Sequence, residues 1–295
     1  MSGAARVRAQ AKVNLFLRVL AREESGYHLI ETLFCRLELA DDVVVRVGGA
    51  GRRVDVVGAD VGPPERNLAF RAATVFAEEA RWPPGFAIEI EKRIPIGGGL
   101  GGGSADAGAV LRALNALAPA PLVGSAVFEI AARVGADVPF LASEWPLALA
   151  WGRGERLLGL APLSSRETVL VVPSFGVSTA DAYAWLDAGQ RAAGARGASR
   201  RAAYSLDDLA SWDAVAAIAE NDFEPAVMRR HPELAEQLAR LRATGATLAR
   251  LSGSGSALFA VLPEGAPRVA ESAFPGCRSI RTRTAERVAP VERLG

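Results

Sequence analysis

Positions 97 to 103 hold six glycines in seven residues, Gly97-Gly98-Gly99-Leu100-Gly101-Gly102-Gly103, and Ser104 follows. No helix or strand interior accommodates such a run, because glycine loses more backbone entropy on folding than any other residue. The run is therefore a loop, and its flanks say which kind. On one side Phe86, Ile88 and Ile90 alternate with Ala87, Glu89 and Glu91, the pattern of a half-buried strand reaching Ile94. On the other side Ala105 to Ala118 carries apolar residues at helical spacing. A glycine loop between strand and helix lets backbone N–H groups approach a ligand closely. The helix N-terminus adds orphan donors and the positive end of a dipole. Together they make an anion cradle, and phosphate is its usual guest.

Two familiar phosphate loops can be tested at once. A Walker A loop needs Gly-Lys-Ser/Thr, and here Gly103 precedes Ser104, so that reading fails. A dinucleotide fingerprint is met in form by Gly97, Gly99 and Gly102. It also needs an acidic residue about 20 positions on, within a βαβ unit. The residues there are Leu122, Val123 and Gly124, and Pro95 interrupts the approach.

The rest of the chain frames this loop. Arg6 to Val19, Leu29 to Leu39, Asp41 to Val47 and Arg53 to Val57 read as strands of an early antiparallel sheet. Asn67 to Ala80, Ser125 to Val134 and the region from Leu206 to Arg242 read as helical. Leu147 to Trp151 and Thr168 to Val172 read as short strands. Leu248 to Ser252, Gly253-Ser254-Gly255-Ser256 and Ala257 to Leu262 read as strand, glycine turn, strand. Asp187 to Ser205 is rich in Ala, Gly, Arg and Ser without apolar periodicity, and is expected to be a loop or weak helix. Strands and helices without strict βαβ alternation indicate an α+β chain in two packed halves.

Composition narrows the function classes. A formal net charge of +1 gives no broad footprint for nucleic acid. No apolar run reaches the ~18 residues of a membrane span, and no signal-peptide core is apparent, so a cytoplasmic location is expected. The two cysteines, Cys35 and Cys277, form neither a disulfide framework nor a zinc motif. Of 34 basic residues only Lys12 and Lys92 are lysine. A lysine kept in such an arginine-biased chain marks a place where a compact ammonium, not a planar guanidinium, is wanted.

Pro95-Ile96-Gly97-Gly98-Gly99-Leu100-Gly101-Gly102-Gly103-Ser104-Ala105-Asp106 resembles the phosphate loop of the GHMP kinases. Three further blocks agree, in that family's order. They are Ala11-Lys12-Val13-Asn14-Leu15 with Gly26-Tyr27-His28, then Gly135-Ala136-Asp137-Val138-Pro139-Phe140, then Leu251-Ser252-Gly253-Ser254-Gly255-Ser256-Ala257. Lys-x-Asn followed by Gly-Tyr-His resembles the diphosphocytidyl methylerythritol kinase branch in particular. The resemblance implies two α+β domains, 1–155 and 156–295, with ATP and substrate in the cleft between them. It implies phosphorylation of a tertiary 2-hydroxyl on a cytidine diphosphate-linked methylerythritol, in non-mevalonate isoprenoid synthesis. Magnesium is expected with ATP because phosphoryl transfer gathers negative charge. Another GHMP kinase, for homoserine, mevalonate or a sugar, and a non-catalytic nucleotide-binding regulator remain the alternatives. Whether the chain is monomer or dimer is left open.

The resemblance and the chemistry together assign roles. Asp137 is the candidate general base, with helix capping as its plain alternative. Lys12 beside it would favour the charged carboxylate; otherwise it is a solvated strand residue. Gly97, Gly98, Gly99, Leu100, Gly101, Gly102, Gly103 and Ser104 would hold the triphosphate, and Ser104 could equally be a simple N-cap. Tyr27 and His28 match the family's cytosine-recognising positions, with Tyr183 as the other aromatic face. Asn14, Lys92, Gly253 and Ser254 are assigned to the substrate side. The metal ligands are unknown, with Asp106 as the one suggestion.

Overall fold

The computed structural model describes residues 3–60, 62–192 and 204–295. Two 20-residue strands, β1 (Gly3–Arg22) and β2 (His28–Val47), form its spine. They pair antiparallel, with register shifts between Gln10 and Lys12, Asn14 and Phe16, and Val19 and Ala21. Each shift bends and twists the ribbon more than a regular ladder would. The two expected strands Leu29 to Leu39 and Asp41 to Val47 are one continuous strand, β2, and Asp41 within it has no exposed surface.

After β3 (Arg52–Val57) comes α1 (Leu68–Glu79), capped by the Asn67 side chain, whose Oδ1 accepts from the N–H groups of Ala69 and Phe70. β4 (Phe86–Glu91) pairs antiparallel with β2 and parallel with β3, so the early sheet is mixed, not antiparallel throughout. Then follow α2 (Gly102–Leu117), α3 (Gly124–Val134), the short α4 (Val138–Ala142) and β5 (Leu147–Gly152). β6 (Arg156–Leu160) was not anticipated, and it pairs with β5. The seven strands of this sheet include the last of the chain, β11 (Val291–Leu294), which returns to pair with β1. A division at 155/156 therefore runs between two paired strands.

The other sheet has the order β10-β7-β9-β8, built from β7 (Glu167–Pro173), β8 (Leu248–Leu251), β9 (Leu258–Val261) and β10 (Cys277–Arg283). Between β7 and β8 run α5 (Thr179–Ala192), α6 (Trp212–Ile218), α7 (Glu224–Arg230) and α8 (Pro232–Ala243). The stretch expected to be loop or weak helix begins as the last turns of α5; residues 193–203 lie outside the described ones.

Packing brings the halves together. One apolar cluster takes Ala182 and Leu186 of α5, Phe223 and Val227 near α7, and Leu234 and Leu238 of α8 against β7, β8 and β9. Leu17, Val19 and Ile30 from the far ends of β1 and β2 belong to that same cluster. The larger cluster packs α1, α2 and α3 on the first sheet and also takes Leu170, Phe259 and Val261 from the second. Each sheet thus completes its burial against the other half, which fixes the geometry of the cleft between them.

Candidate active site

The glycine run crosses from the end of β4 to α2 just where the two halves meet. Gly101, at φ +72°, occupies the N-cap position of the 16-residue α2. Ser104 is therefore the third residue of the helix and not its cap, which corrects that alternative. The loop is held from both sides. Lys12 in β1 donates its backbone N–H to Leu100 O at 3.0 Å, just after the register shift between Gln10 and Lys12. From the second half, Ser252 Oγ donates to Gly99 O at 2.9 Å and the Ala257 N–H donates to Gly98 O at 3.1 Å. Gly99 has φ +73°, and a Cβ there would stand 2.1 Å from Ser252 O, so only glycine fits this crossing. The glycine turn after β8 is itself held by Asn221, whose Nδ2 donates to Leu251 O and Gly253 O, both at 2.8 Å. Asn221 carries no motif, and the sequence reading missed it.

Lys12 and Asp137 meet at this junction. Lys12 Nζ lies 3.1 Å from Asp137 Oδ2, with the lysine side chain 4% exposed and the aspartate 30%. Lys12 is thus no solvated strand residue. Asp137 stands at the N-cap position of α4 but makes no capping bond, so its carboxylate is committed to Lys12. Lys12 Nζ also donates to Asn14 Oδ1 at 2.8 Å, and Asn14 Nδ2 donates to Thr32 Oγ1 at 2.8 Å. A Cβ on Gly101 would come within 3.0 Å of Lys12 Cγ, so the glycine loop runs directly over the lysine stem. A Cβ on Gly253 would be 3.4 Å from Asn14 Oδ1 and 3.6 Å from Lys12 Nζ, which puts the C-terminal glycine turn against the same two side chains.

The placement of α4, and so of Asp137, depends on two residues absent from the sequence reading. Gly108 of α2 lets α4 approach: a Cβ there would be 2.4 Å from Leu141 C. Arg36, buried in β2, donates to the carbonyls of Trp145, Phe140 and Ser143. Burial alone works strongly against the charge of Arg36, with Arg112 adding to the effect. Those three carbonyls supply the compensation. Phe34 stacks on Phe140 at 5.0 Å between centroids, a pair that contributes roughly 0.5–1.5 kcal/mol beyond area burial.

The aromatic group is only partly as expected. His28 Nε2 is 2.8 Å from Asp187 Oδ1. A carboxylate acceptor requires the hydrogen on Nε2. Tyr183 stacks on His28 itself, at 4.3 Å and 15° between planes, and packs edge-on against Phe223. Tyr183 thus backs the imidazole. Burial, with the nearby Asp137 charge, pushes its phenol up to about 12. Tyr27 is 59% exposed, and the Arg153 guanidinium sits 4.0 Å from its ring centroid. Asp187 and Arg153 were both missed, since neither lies in a recognisable motif. Ser254 Oγ pairs with Thr179 Oγ1 at 3.1 Å at the start of α5.

Lys92 departs from its expected substrate role. Its Nζ is buried between Asp41 Oδ2 at 2.5 Å and Asp106 Oδ2 at 2.7 Å. Lys92 thus occupies Asp106 Oδ2, while Asp106 Oδ1 has no hydrogen-bond partner. Among the described residues no three His, Cys, Asp or Glu stand together as a metal cluster.

Comparison with known proteins matches this arrangement. Residues 67–144 match the profile of the GHMP kinases N terminal domain and residues 205–276 that of the GHMP kinases C terminal domain. The chain is 39% identical to the 4-diphosphocytidyl-2-C-methyl-D-erythritol kinase of Pelotomaculum thermopropionicum, over 85% of this chain and 86% of that one. It is 41% identical to the enzyme of the same name from Anaeromyxobacter dehalogenans, over 91% of this chain and 84% of the relative. A crystal structure of a 4-(cytidine 5'-diphospho)-2C-methyl-D-erythritol kinase superposes with a TM-score of 0.76 at 37% identity, covering 95% of this chain and 98% of the other.

Proposed function

The chain belongs to the 4-diphosphocytidyl-2-C-methyl-D-erythritol kinases of the GHMP family, and we propose that it phosphorylates the 2-hydroxyl of that cytidyl compound with Asp137 as general base. As in its relatives, the reaction is an ATP-dependent phosphoryl transfer to a small-molecule alcohol, here in the non-mevalonate route to isoprenoid precursors. The acceptor oxygen bonds to the γ-phosphorus, the bond from that phosphorus to the bridging oxygen breaks, and ADP leaves. The hydroxyl proton passes to the Asp137 carboxylate.

The observation that carries this reading is the Lys12–Asp137 ion pair at 3.1 Å, set directly against the phosphate loop. Phosphoryl transfer is mostly positioning and charge stabilisation. Lys12 supplies both, since it holds the carboxylate and brings an ammonium to the point where the phosphoryl group crosses. The N–H groups of Gly97 to Ser104, at the positive end of α2, cradle the triphosphate. Magnesium would be held on the ATP phosphates and would neutralise part of their charge.

On the acceptor side Tyr27 and His28 recognise the cytosine, through ring stacking and an edge hydrogen bond. Tyr183 and Asp187 hold the imidazole, and Asn14, Gly253 and Ser254 line the way to the reacting hydroxyl. A cytoplasmic location belongs to the same proposal, in keeping with the free thiols of Cys35 and Cys277.

The test is an ADP-release assay with Mg-ATP and a panel of the cytidyl compound, methylerythritol phosphate, mevalonate, homoserine and galactose. Turnover with the cytidyl compound alone is expected, and turnover with another member instead would overturn the acceptor assignment. Asp137→Asn should leave ATP binding near wild type while kcat falls by roughly 10²–10⁴, and unchanged turnover removes Asp137 from the mechanism.

A further inference from the structure

Both lysines of this arginine-rich chain are buried beside the phosphate loop, and the proposed mechanism uses only Lys12. Lys92 follows directly on β4, where the chain leaves the sheet for the loop. It bridges two carboxylates from different elements. Asp41, in the middle of β2, accepts Lys92 Nζ on Oδ2 at 2.5 Å. On Oδ1 it accepts the backbone N–H groups of Arg93 at 2.5 Å and Ile94 at 2.8 Å. Asp106, in the second turn of α2, accepts Lys92 Nζ on Oδ2 at 2.7 Å. Asp106 Oδ1 is buried without a hydrogen-bond partner, so Lys92 is what holds this carboxyl.

The arrangement is tight. The Lys92 ammonium lies 3.4 Å from where a Cβ of Gly102 would stand, and a Cβ on Gly58 would be 2.9 Å from Lys92 O. A compact ammonium reaches both carboxyl groups at 2.5 and 2.7 Å, a geometry that suits lysine's point charge better than arginine's planar fork.

Burying such a trio is a poor way to gain stability. Well-packed apolar residues of similar volume do as well or better, because the desolvation of each charge must be offset. What the trio supplies is geometry. Its three members grip the strand exit at Arg93 and Ile94 and the helix entrance at Asp106, and every residue of the glycine loop lies between those two points. A run of glycines has little conformational preference of its own, so its shape is set by its anchors.

We infer that the Asp41–Lys92–Asp106 bridge is a positioning device for the nucleotide, fixing the span between Ile94 and α2 and so the aim of the loop's N–H groups at the triphosphate. The inference rests on the nucleotide reading of the loop given above. Asp41 is the anchor that collects three donors. Burial raises Asp106 to about 8 against the pull of Lys92, and Asp41 adds to the rise.

The test is the double variant Lys92→Met with Asp106→Asn, which removes the bridge and leaves Asp41 to its two backbone N–H donors. ATP affinity is measured by calorimetry, and both KM values by steady-state assay, beside a thermal melt. The double variant should fold and melt cooperatively. Its Kd and KM for ATP should rise about tenfold or more, while KM for the cytidyl acceptor stays within about threefold. Wild-type ATP affinity in the folded double variant would show that the trio only balances charge and would overturn the inference. Should the double variant not fold, Asp41→Asn carries the same expectation. It keeps an oxygen for the two backbone donors and loses only the pairing with Lys92. Failure of the wild-type chain to bind ATP would instead strike the nucleotide reading itself.

Discussion

Replacing Gly99 by alanine should damage stability and catalysis together, and the size of the effect follows from the crossing of the two halves. An alanine Cβ would stand 2.1 Å from Ser252 O, 3.1 Å from Ser252 C and 3.2 Å from Gly255 O. All three are backbone atoms of the opposing glycine turn, so no flexible side chain can swing aside. The two segments must separate by roughly 1 Å, an overpacking strain of about 1–3 kcal/mol. The φ of +73° at Gly99 adds about 1–2 kcal/mol for any residue with a Cβ. The total of roughly 2–5 kcal/mol is a large share of the ~5–15 kcal/mol that keeps a domain folded. It corresponds to a fall in melting temperature of roughly 5–15 °C.

The same displacement moves the carbonyls and N–H groups of the loop proposed to hold the triphosphate, and a misplacement of about 1 Å can cost ~10²-fold in rate. Gly103→Ala is the internal control. A Cβ there meets only Leu68 Cδ1 at 3.6 Å, an ordinary contact, and the residue lies inside α2. It should melt within about 1 kcal/mol of wild type, on the stable side if anything. The assay is a thermal melt with and without Mg-ATP, followed by kcat and KM for ATP. If Gly99→Ala melts like Gly103→Ala and keeps wild-type kcat and KM for ATP, the reasoning from the crossing is refuted.

Other expectations are smaller in scope. Asp106 titrates above the ordinary carboxylate range, mainly through burial, so between pH ~4 and about 8 the folded chain keeps a proton that the unfolded chain has released. Stability should therefore decline as pH rises through that window. Asp106→Asn should flatten the decline, as melts at intervals from pH 5 to 8.5 would register; parallel curves would count against it. Asp187→Ala frees His28 and should raise KM for the cytidyl acceptor by roughly tenfold, with KM for ATP unchanged and partial recovery in Asp187→Asn. Burial pushes the Cys35 thiol up to about 12, so it should resist thiol reagents at pH 8 until the chain is unfolded.

The sequence by itself determined the chemistry-bearing blocks and most of the elements that carry them. A dense glycine run between an alternating strand and a periodic helix has one good physical reading. The two lysines stood out because every other basic residue is arginine. Asn67 before an apolar helical run marked the start of α1. Local signals failed where the tertiary structure overrode them. Leu29 to Leu39 and Asp41 to Val47 read as two strands, yet β2 runs through both, and Asp41 is buried inside it because Lys92 and two backbone N–H groups arrive from elsewhere to receive it.

Lys92 itself looked like a ligand for substrate, and only the fold supplies the two carboxylates that occupy it. Tyr183 was read as a ring facing the cytosine and instead backs His28, since stacking partners come from α5 and the first hairpin at a separation no local pattern encodes. Asp187, Arg36, Asn221 and Gly108 carry no motif at all. Their roles arise from contacts between residues far apart in the chain. Sequence periodicity speaks for the face a residue presents, but what that face meets is decided when the two halves close on each other.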